Sequence, residues 1–441
     1  MDEFPVVVVG AGPVGLAAAA HLLERGLRPL VLEAGARAGA AVAQWRHVRL
    51  FSPWSELVDP AARRLLEPTG WRAPDGYPTG EEWASAYLGP LADAVGDHVR
   101  LNARVVGVAR RGRDRVVDEG RDREPLTVHV EGGGRITARA VVDASGTWGG
   151  PNPLGGDGLP AVGEREAADR IGYRVPDVVG ERDRYAGRRV AVAGSGHSAL
   201  TALVALADLA DRRPGTHVTW LLRRGAVGNA FGGGDADQLP ARGALGARAR
   251  AAVAAGHVEV VTGFRTAAVE RAGDRLVLVS GHGRRLDPVD EVVALTGFRP
   301  DHSWLSEVRL DLDPVLQAPT ALAPLIDPNA HSCGTVRPHG ARELRQPEPG
   351  VYLVGMKSYG RAPTFLALTG YEQVRSVVAE IAGDHDAAAR PELTLPETGV
   401  CGGSGVFDGG PEASPGGCCG VPRVADLTLT APEARRRTRA V

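Results

Sequence analysis

"FPVVVVGAGPVGLAAAAHLLERGLRPLVLEAG", residues 4–35, reads as a buried strand, a tight glycine turn, an alanine-rich helix and a second strand ending at Glu33. The three glycines have different tasks. Gly10 permits the turn, Gly12 lets the backbone approach a pyrophosphate, and Gly15 lets helix and strand pack closely, while the helix N-terminus offers its N–H groups to the anion. Glu33 lies 21 residues beyond Gly12, the spacing at which an acid accepts hydrogen bonds from a ribose diol. Residues Phe4 to Leu23 carry no Asp, Glu, Lys or Arg, but Pro5, Pro13 and the glycines interrupt the run and no basic segment precedes it. A βαβ dinucleotide-binding unit therefore explains the stretch better than a membrane span or an export signal.

The pattern returns at residues 187–225, "GRRVAVAGSGHSALTALVALADLADRRPGTHVTWLLRRG", as strand, Gly194-x-Gly196-x-x-Ala199, helix and strand. Ser198 stands in the first turn of this helix, where its hydroxyl can join the phosphate site. The second strand ends without an acid, and Arg223 and Arg224 follow Leu222. Two guanidiniums suit the 2′-phosphate of NADPH; two solvated arginines at a strand end are the plain alternative. The first turn thus reads as an FAD site and the second as an NADPH site.

Composition narrows the rest. A chain of 441 residues with a formal charge of −2 offers a globular α/β protein with no call on nucleic acid or an anionic membrane. Four cysteines and no export signal point to the cytosol. Lys plus Arg is 51, yet Lys357 is the only lysine, so arginine is this chain's default cation. A lysine kept against that bias suits a place where a compact ammonium fits and a guanidinium fork does not.

Further segments carry a family resemblance. "VVDASGTWGGPNPLG" (141–155) is similar to a strand-and-crossing segment in which Ala144, Ser145 and Gly146 let the chain pass close to a cofactor. "EVVALTGFRPD" (291–301) is its counterpart, with Thr296, Gly297 and Pro300 in place. "QWRHVRLFSPW" (44–54) resembles a stretch in which Trp45 lies along a flavin. "GVYLVGMKSYGRAPTFLALTGYEQVRSVVAEIAG" (350–383) looks like the closing strand, loop and helix of an FAD domain. With both glycine turns in order, residues 4 to about 384 resemble the two-dinucleotide-binding flavoproteins, and among them the flavin-containing monooxygenases and their Baeyer–Villiger relatives. Two departures stand out. The family's Gly-Asp, whose carboxylate contacts the ribityl chain, is Gly355-Met356 here, and the Baeyer–Villiger signature is not recognisable in "GEREAADRIGYRVPDVVGERDRYAG" (163–187). No CxxC accompanies either turn, as dithiol exchange would require.

The expected architecture is two Rossmann-like domains: an FAD domain in residues 1–160 and again in 319–390, an inserted NADPH domain in 161–318, and a Gly/Pro/Cys-containing flexible tail from 391 to 441. "RRGRDRVVDEGRDREP" (110–125) reads as a solvated hairpin or loop, and "GGGDADQLP" (232–240) as a turn-rich loop placed to lie over the nicotinamide.

The resemblance implies that NADPH reduces the flavin, that oxygen adds to give a hydroperoxyflavin, and that a small electron-rich substrate takes one oxygen atom. Lys357 is expected near the ring, stabilising its negative charge, with N–H donors from Thr369, Gly370 and Tyr371 at the following helix start. Met356 fills a gap against the cofactor. "HSCGTVRPHG" (331–340) puts His331, Cys333 and His339 on the way to the closing strand, expected on the cleft side. Cys401 and the adjacent Cys418 and Cys419 lie in the tail, which as a flexible chain spans roughly 30 Å from residue 391 to 418. Thiolates suit thiophilic metalloids, and Cys333 with Cys418 and Cys419 would make a three-sulfur site for trivalent arsenic. That setting resembles the flavin monooxygenases encoded among arsenic-resistance genes. The substrate is thus a sulfur, nitrogen or trivalent arsenic centre. Two alternatives stand beside it: an NADPH-dependent reductase or oxidase passing electrons to a quinone, metal ion or oxygen, and a non-enzymatic metal(loid)-binding flavoprotein.

Overall fold

The structure is a computed structural model, and it describes residues 3–393 apart from 233, 235, 236, 238, 330–335 and 364. The chain opens with β1 (Val6–Val9), α1 (Pro13–Glu24) and β2 (Pro29–Leu32). β3 (Val99–Arg100), β4 (Val105–Arg110), β5 (Leu126–Val130), β6 (Gly134–Ala138) and β7 (Ala140–Asp143) follow. The next half holds β8 (Ile171–Gly172), β9 (Arg189–Ala193), α2 (His197–Arg212), β10 (His217–Leu221), α3 (Pro240–Ala254) and β11 (Val258–Val261). It closes with β12 (Thr266–Ala272), β13 (Arg275–Ser280) and β14 (Glu291–Ala294). β15 (Val351–Leu353) and the long helix α4 (Ala367–Ile381) return to the first half.

Two parallel sheets result. The first has the order β15-β7-β1-β2-β3 and the second β11-β10-β9-β14-β8. β1, β7, β15, β10 and β14 are apolar along nearly their whole length because parallel strands with crossover connections are covered on both faces. β4, β5 and β6 form a separate antiparallel layer, and β12 with β13 a hairpin. α1 is buried without a break from Val14 to Leu22, since it is wedged between the first sheet and α4. Four alanines in a row keep that wedge thin.

The two connections between the halves run side by side. Asn152 N donates to the Gly297 carbonyl at 2.9 Å and Arg299 N to the Gly150 carbonyl at 2.8 Å. Thr296 Oγ1 donates to the Asn152 carbonyl at 2.9 Å, and Arg299 Nε to Asn152 Oδ1 at 2.7 Å. Leu305 and Val308, which the sequence reading assigns to the inserted half, pack with Val7, Val108, Leu126 and Val351 behind the first sheet.

The charged stretch 110–125 departs from expectation. Arg121 is only 4% exposed, and its guanidinium donates to Glu348 Oε2 at 2.6 Å and to the carbonyls of Asp114 and Glu307. Arg110 Nε meets the other oxygen of Glu348 at 2.6 Å. One buried carboxylate thus holds two buried guanidiniums and ties the loop to the sheet, so this loop is anchored rather than solvated along its length. Burial alone raises the Glu348 pKa, but hydrogen bonds from Arg121 and Arg110 outweigh it and hold the carboxyl below its ordinary range.

Glu348→Gln should leave two buried cations sharing a neutral amide, at a cost of about 3–5 kcal/mol near neutral pH. A depressed folded-state pKa contributes stability that is present above the ordinary value of 4.5 and is lost as pH falls through the folded-state value. Denaturant midpoints of wild type and variant should therefore converge only in acid, below that value. A gap that stays constant across the acid range would show that the carboxylate's charge is not what holds the loop.

Candidate cofactor site between two glycine turns

At the first turn Gly10 has φ +101°, and a Cβ there would lie 2.9 Å from the Ala144 carbonyl oxygen. A Cβ on Gly15 would lie 1.9 Å from the Gly10 carbonyl oxygen, so no side chain fits. Gly12 is different: nothing lies within 4 Å of the position its Cβ would take. Two glycines are fixed by packing and the third faces open space, as a backbone cradle for a pyrophosphate needs. Glu33 is held beside this turn, its Oε2 accepting from Ala11 N at 2.8 Å and its Oε1 from Gly35 N at 2.7 Å. Each oxygen keeps a lone pair for a ribose hydroxyl.

The second turn repeats this geometry. Gly194 has φ +135°, and its Cβ would lie 2.2 Å from the Leu295 carbonyl oxygen, whereas Gly196 again faces open space. Ser198 is exposed in the first turn of α2. Arg223 is exposed and Arg224 half-buried just past β10, and among the described residues neither has an acidic partner. Burial, and after it the charge of Arg223, lowers the Arg224 pKa, so the pair is a concentration of uncompensated positive charge. His197, the first residue of α2, sits edge-on to Phe51 of the first half with 5.3 Å between ring centroids. Burial, and after it Arg242, pushes its pKa down to about 4, so the imidazole is neutral near pH 7. The described part of the 232–240 loop is tied to α3, Asp237 pairing with Arg242 at 2.7 Å.

Between the turns lies an aromatic seam. Trp148 stacks on Phe298 at 5.0 Å, donates from Nε1 to Gln44 Oε1 at 2.9 Å, and carries the Arg174 guanidinium 4.9 Å above its ring. Trp45 is packed against its own half, touching the bare Gly80 backbone and lying 6.3 Å from Trp83.

The closing segment separates the chain's two rare residues, its only lysine, Lys357, and its only methionine after Met1, Met356. Met356 is the partly exposed member of Val351–Gly360, while Lys357 is 1% exposed and turns inward. Its ammonium lies 2.7 Å from Asp143 Oδ2, an ion pair by distance although off the hydrogen-bonding direction. The well-aligned bond goes to Ser145 Oγ at 3.0 Å, and the Trp304 ring covers the remaining side at 4.6 Å. The sequence reading aimed Lys357 at the ring; the structure commits its ammonium to β7 instead, because in the turn Gly355–Tyr359 Met356 faces outward and Lys357 inward.

The donors at the helix start also shift. α4 begins at Ala367, and the amides of Thr369 and Gly370 are bonded to the Leu366 carbonyl at 3.1 and 3.4 Å. Among the described residues the amides of Ala367 and Leu368 have no backbone partner, so the free donors lie two residues earlier than expected. Gly370 is needed for packing, since its Cβ would lie 2.6 Å from Val14 Cγ2 of α1. Tyr371 is buried with its hydroxyl on the Leu57 carbonyl at 2.7 Å. Gly355, with φ +68°, donates its N–H to Gln373 Oε1 at 2.7 Å.

His339, expected on the cleft side, is buried. Its Nδ1 lies 2.9 Å from the Arg337 carbonyl and its Nε2 2.9 Å from Gln373 Nε2, which fixes the proton on Nδ1. Burial lowers its pKa, so it is a neutral core imidazole. His331, Cys333, Cys401, Cys418 and Cys419 lie outside the described residues. The sequence reading passed over Asp143, Gln373 and the Trp148–Phe298 stack. A carboxylate ending the apolar strand "VVD" and a lone lysine were the available signal for the first.

Comparison with known proteins agrees with this geometry. A ferredoxin–NADP reductase from Ignicoccus hospitalis is 25% identical over 310 residues, 69% of this chain and 81% of that protein. The flavin-containing monooxygenase from Stenotrophomonas maltophilia is 25% identical, with TM-score 0.55, over 87% of this chain and 99% of that one. The bacillithiol disulfide reductase from Bacillus cereus shares the fold at 20% identity and TM-score 0.63, over 86% and 99%. The protein is accordingly a flavin-dependent oxidoreductase that uses FAD and NADP(H). Residues 7–321 match the model of the pyridine nucleotide-disulphide oxidoreductases, and the chain belongs to that family.

Proposed function

We propose that the protein is an NADPH-dependent FAD monooxygenase acting on a small soft nucleophile, a sulfur, nitrogen or trivalent arsenic centre. The observation that carries this reading is the aromatic seam. Trp148, Phe298, Phe51 and the neutral His197 bring the two phosphate turns together across apolar surface. Such a surface excludes the water that would divert an activated oxygen into peroxide. Bound FAD supplies hydride acceptance and oxygen activation, and the protein supplies orientation and electrostatics. Glu33 would hold the ribose of FAD, Arg223 and Arg224 the extra phosphate of NADPH, and the Ala367 and Leu368 amides would face negative charge with the N-terminal end of α4. The family's disulphide chemistry finds no CxxC in this sequence.

A reductase reading has its own support in the ferredoxin–NADP reductase relative, of which the alignment covers 81%. The two separate by stoichiometry. A monooxygenase, given a thioether, an amine or arsenite, should consume NADPH and oxygen in equal amounts and form an oxygenated product with little hydrogen peroxide. Oxidation of NADPH stimulated by ferredoxin or ferricyanide, with no product labelled from isotopic oxygen, would overturn the monooxygenase reading and support the reductase.

Cofactor choice follows from the paired arginines. NADPH should be preferred to NADH, and replacing Arg223 and Arg224 by Ala should lower kcat/KM for NADPH by about 10²-fold in total while leaving NADH nearly unchanged. Equal use of the two by the wild type would remove the phosphate role of the pair.

A further inference from the structure

We propose that Ser145 is a hydrogen-bond donor to the bound dinucleotide, its hydroxyl aimed into the cofactor groove by the buried Lys357–Asp143 pair. The inference rests on the reading of the first glycine turn as the FAD site.

The argument begins with what an ammonium can do. Lys357 has three N–H donors and no acceptor, so Ser145 Oγ, 3.0 Å away, receives a proton from it and cannot give one back. A serine hydroxyl has one hydrogen of its own, which must go to some other acceptor. Among the described residues no side chain or carbonyl takes it. Asp143, the nearest candidate, already binds Ser145 through the backbone, Ser145 N donating to Asp143 Oδ1 at 3.0 Å, and its Oδ2 faces Lys357.

Position says where that hydrogen goes. Ser145 is exposed although Lys357 behind it is 1% exposed and Asp143 is fully buried. Its Cα lies 3.2 Å from where a Cβ on Gly10 would be, so the residue abuts the first phosphate turn at the carboxyl end of β7. The free hydrogen therefore points away from the core, toward the space where the turn leaves its backbone bare. An acceptor oxygen of the dinucleotide, on its phosphate or polyol part, is the chemistry that completes it.

The surroundings explain why this position keeps a lysine. The ammonium is enclosed by one hydrogen bond to Ser145 Oγ, the charge of Asp143 Oδ2 at 2.7 Å and the face of Trp304 at 4.6 Å. A guanidinium would bring five donors into the same space and leave some of them buried without partners. Nearby groups do not compete for Asp143. His302 has both ring nitrogens buried without a hydrogen-bond partner among the described residues, and burial followed by the charge of Lys357 pushes its pKa down, keeping it neutral. The Asp301 carboxyl is held low by hydrogen bonds from Ser303 and by Lys357, so it stays an anion outside the pair. Lys357 acts through Ser145 and is a positioning residue.

The test reads FAD affinity, by recovery of flavin fluorescence on dissociation, together with thermal stability of the apoprotein. Ser145→Ala should weaken FAD binding about five- to tenfold and leave apoprotein stability nearly unchanged, while Ser145→Thr, which keeps a hydroxyl, should restore most of the affinity. Asp143→Asn with Lys357→Met removes both charges together, avoiding a lone buried ion, and should weaken FAD binding to a similar degree. Adding Ser145→Ala to that pair should then cost nothing further, because the hydroxyl has already lost its direction. Additive losses would overturn the coupling, and if the charge-free pair does not fold, the Ala and Thr variants decide the donor role alone. Unchanged affinity in Ser145→Ala beside a large loss in Glu33→Gln would sink this inference and leave the FAD site standing. Unchanged affinity in Glu33→Gln as well would instead remove the FAD reading of the first turn.

Discussion

The close approach of α1 to the first sheet is the constraint on which the FAD half depends. A single missing Cβ at Gly15, with 1.9 Å to the Gly10 carbonyl oxygen, sets that distance. The next residue back, Val14, then touches both Gly355 and Gly370, where a Cβ would meet its methyl groups at 3.3 and 2.6 Å. Val14 therefore joins the phosphate turn at the start of the chain to the closing strand and helix near its end. Any residue larger than glycine at 15 or 370 would lift α1 or α4 and shift the first amides of α4 relative to the first turn. Packing and cofactor geometry are here the same requirement, because a close-packed interior transmits a displacement of this size instead of absorbing it.

The second half obeys the same rule with different chemistry at the strand end. Gly194 must be bare because Leu295 O would lie 2.2 Å from its Cβ, and Leu295 immediately precedes the return connection. The second turn is thus braced by the strand that leads back to the first half. The connection then zips against 150–152 through Asn152, Thr296 and Arg299.

Much of this was legible in the sequence, and the parts that were not have a physical reason. Both turns, Glu33, the paired arginines and the crossing segments are local patterns, in which function needs particular residues at fixed spacing. The anchored loop was misread because charge density stands in for exposure in a sequence, whereas burial of Arg121 depends on Glu348, 227 residues away. His339 was misplaced for a similar reason: its partner Gln373 lies 34 residues on and is itself buried. The start of α4 was set too late, at Thr369, whereas the helix begins at Ala367 and Gly370 lies inside it against Val14. The lone lysine was rightly singled out as unusual, but its direction could not be read, since nothing local says which side of the sheet a residue just past β15 will face.

That direction alters the electrostatics of the site. Had the ammonium faced the cofactor, it would have placed a full positive charge beside it. Paired with Asp143 at 2.7 Å it forms a neutral unit with only a dipole, whose field falls away faster than that of a single ion. The groups left to face negative charge are then the first amides of α4 and, past β10, the exposed Arg223 and half-buried Arg224. Met356 fits this division. An acid in its place would put a second anion one residue from the Lys357–Asp143 pair. The thioether is partly exposed and carries no charge, so Asp143 stays the one ion-pair partner of Lys357 among the described residues.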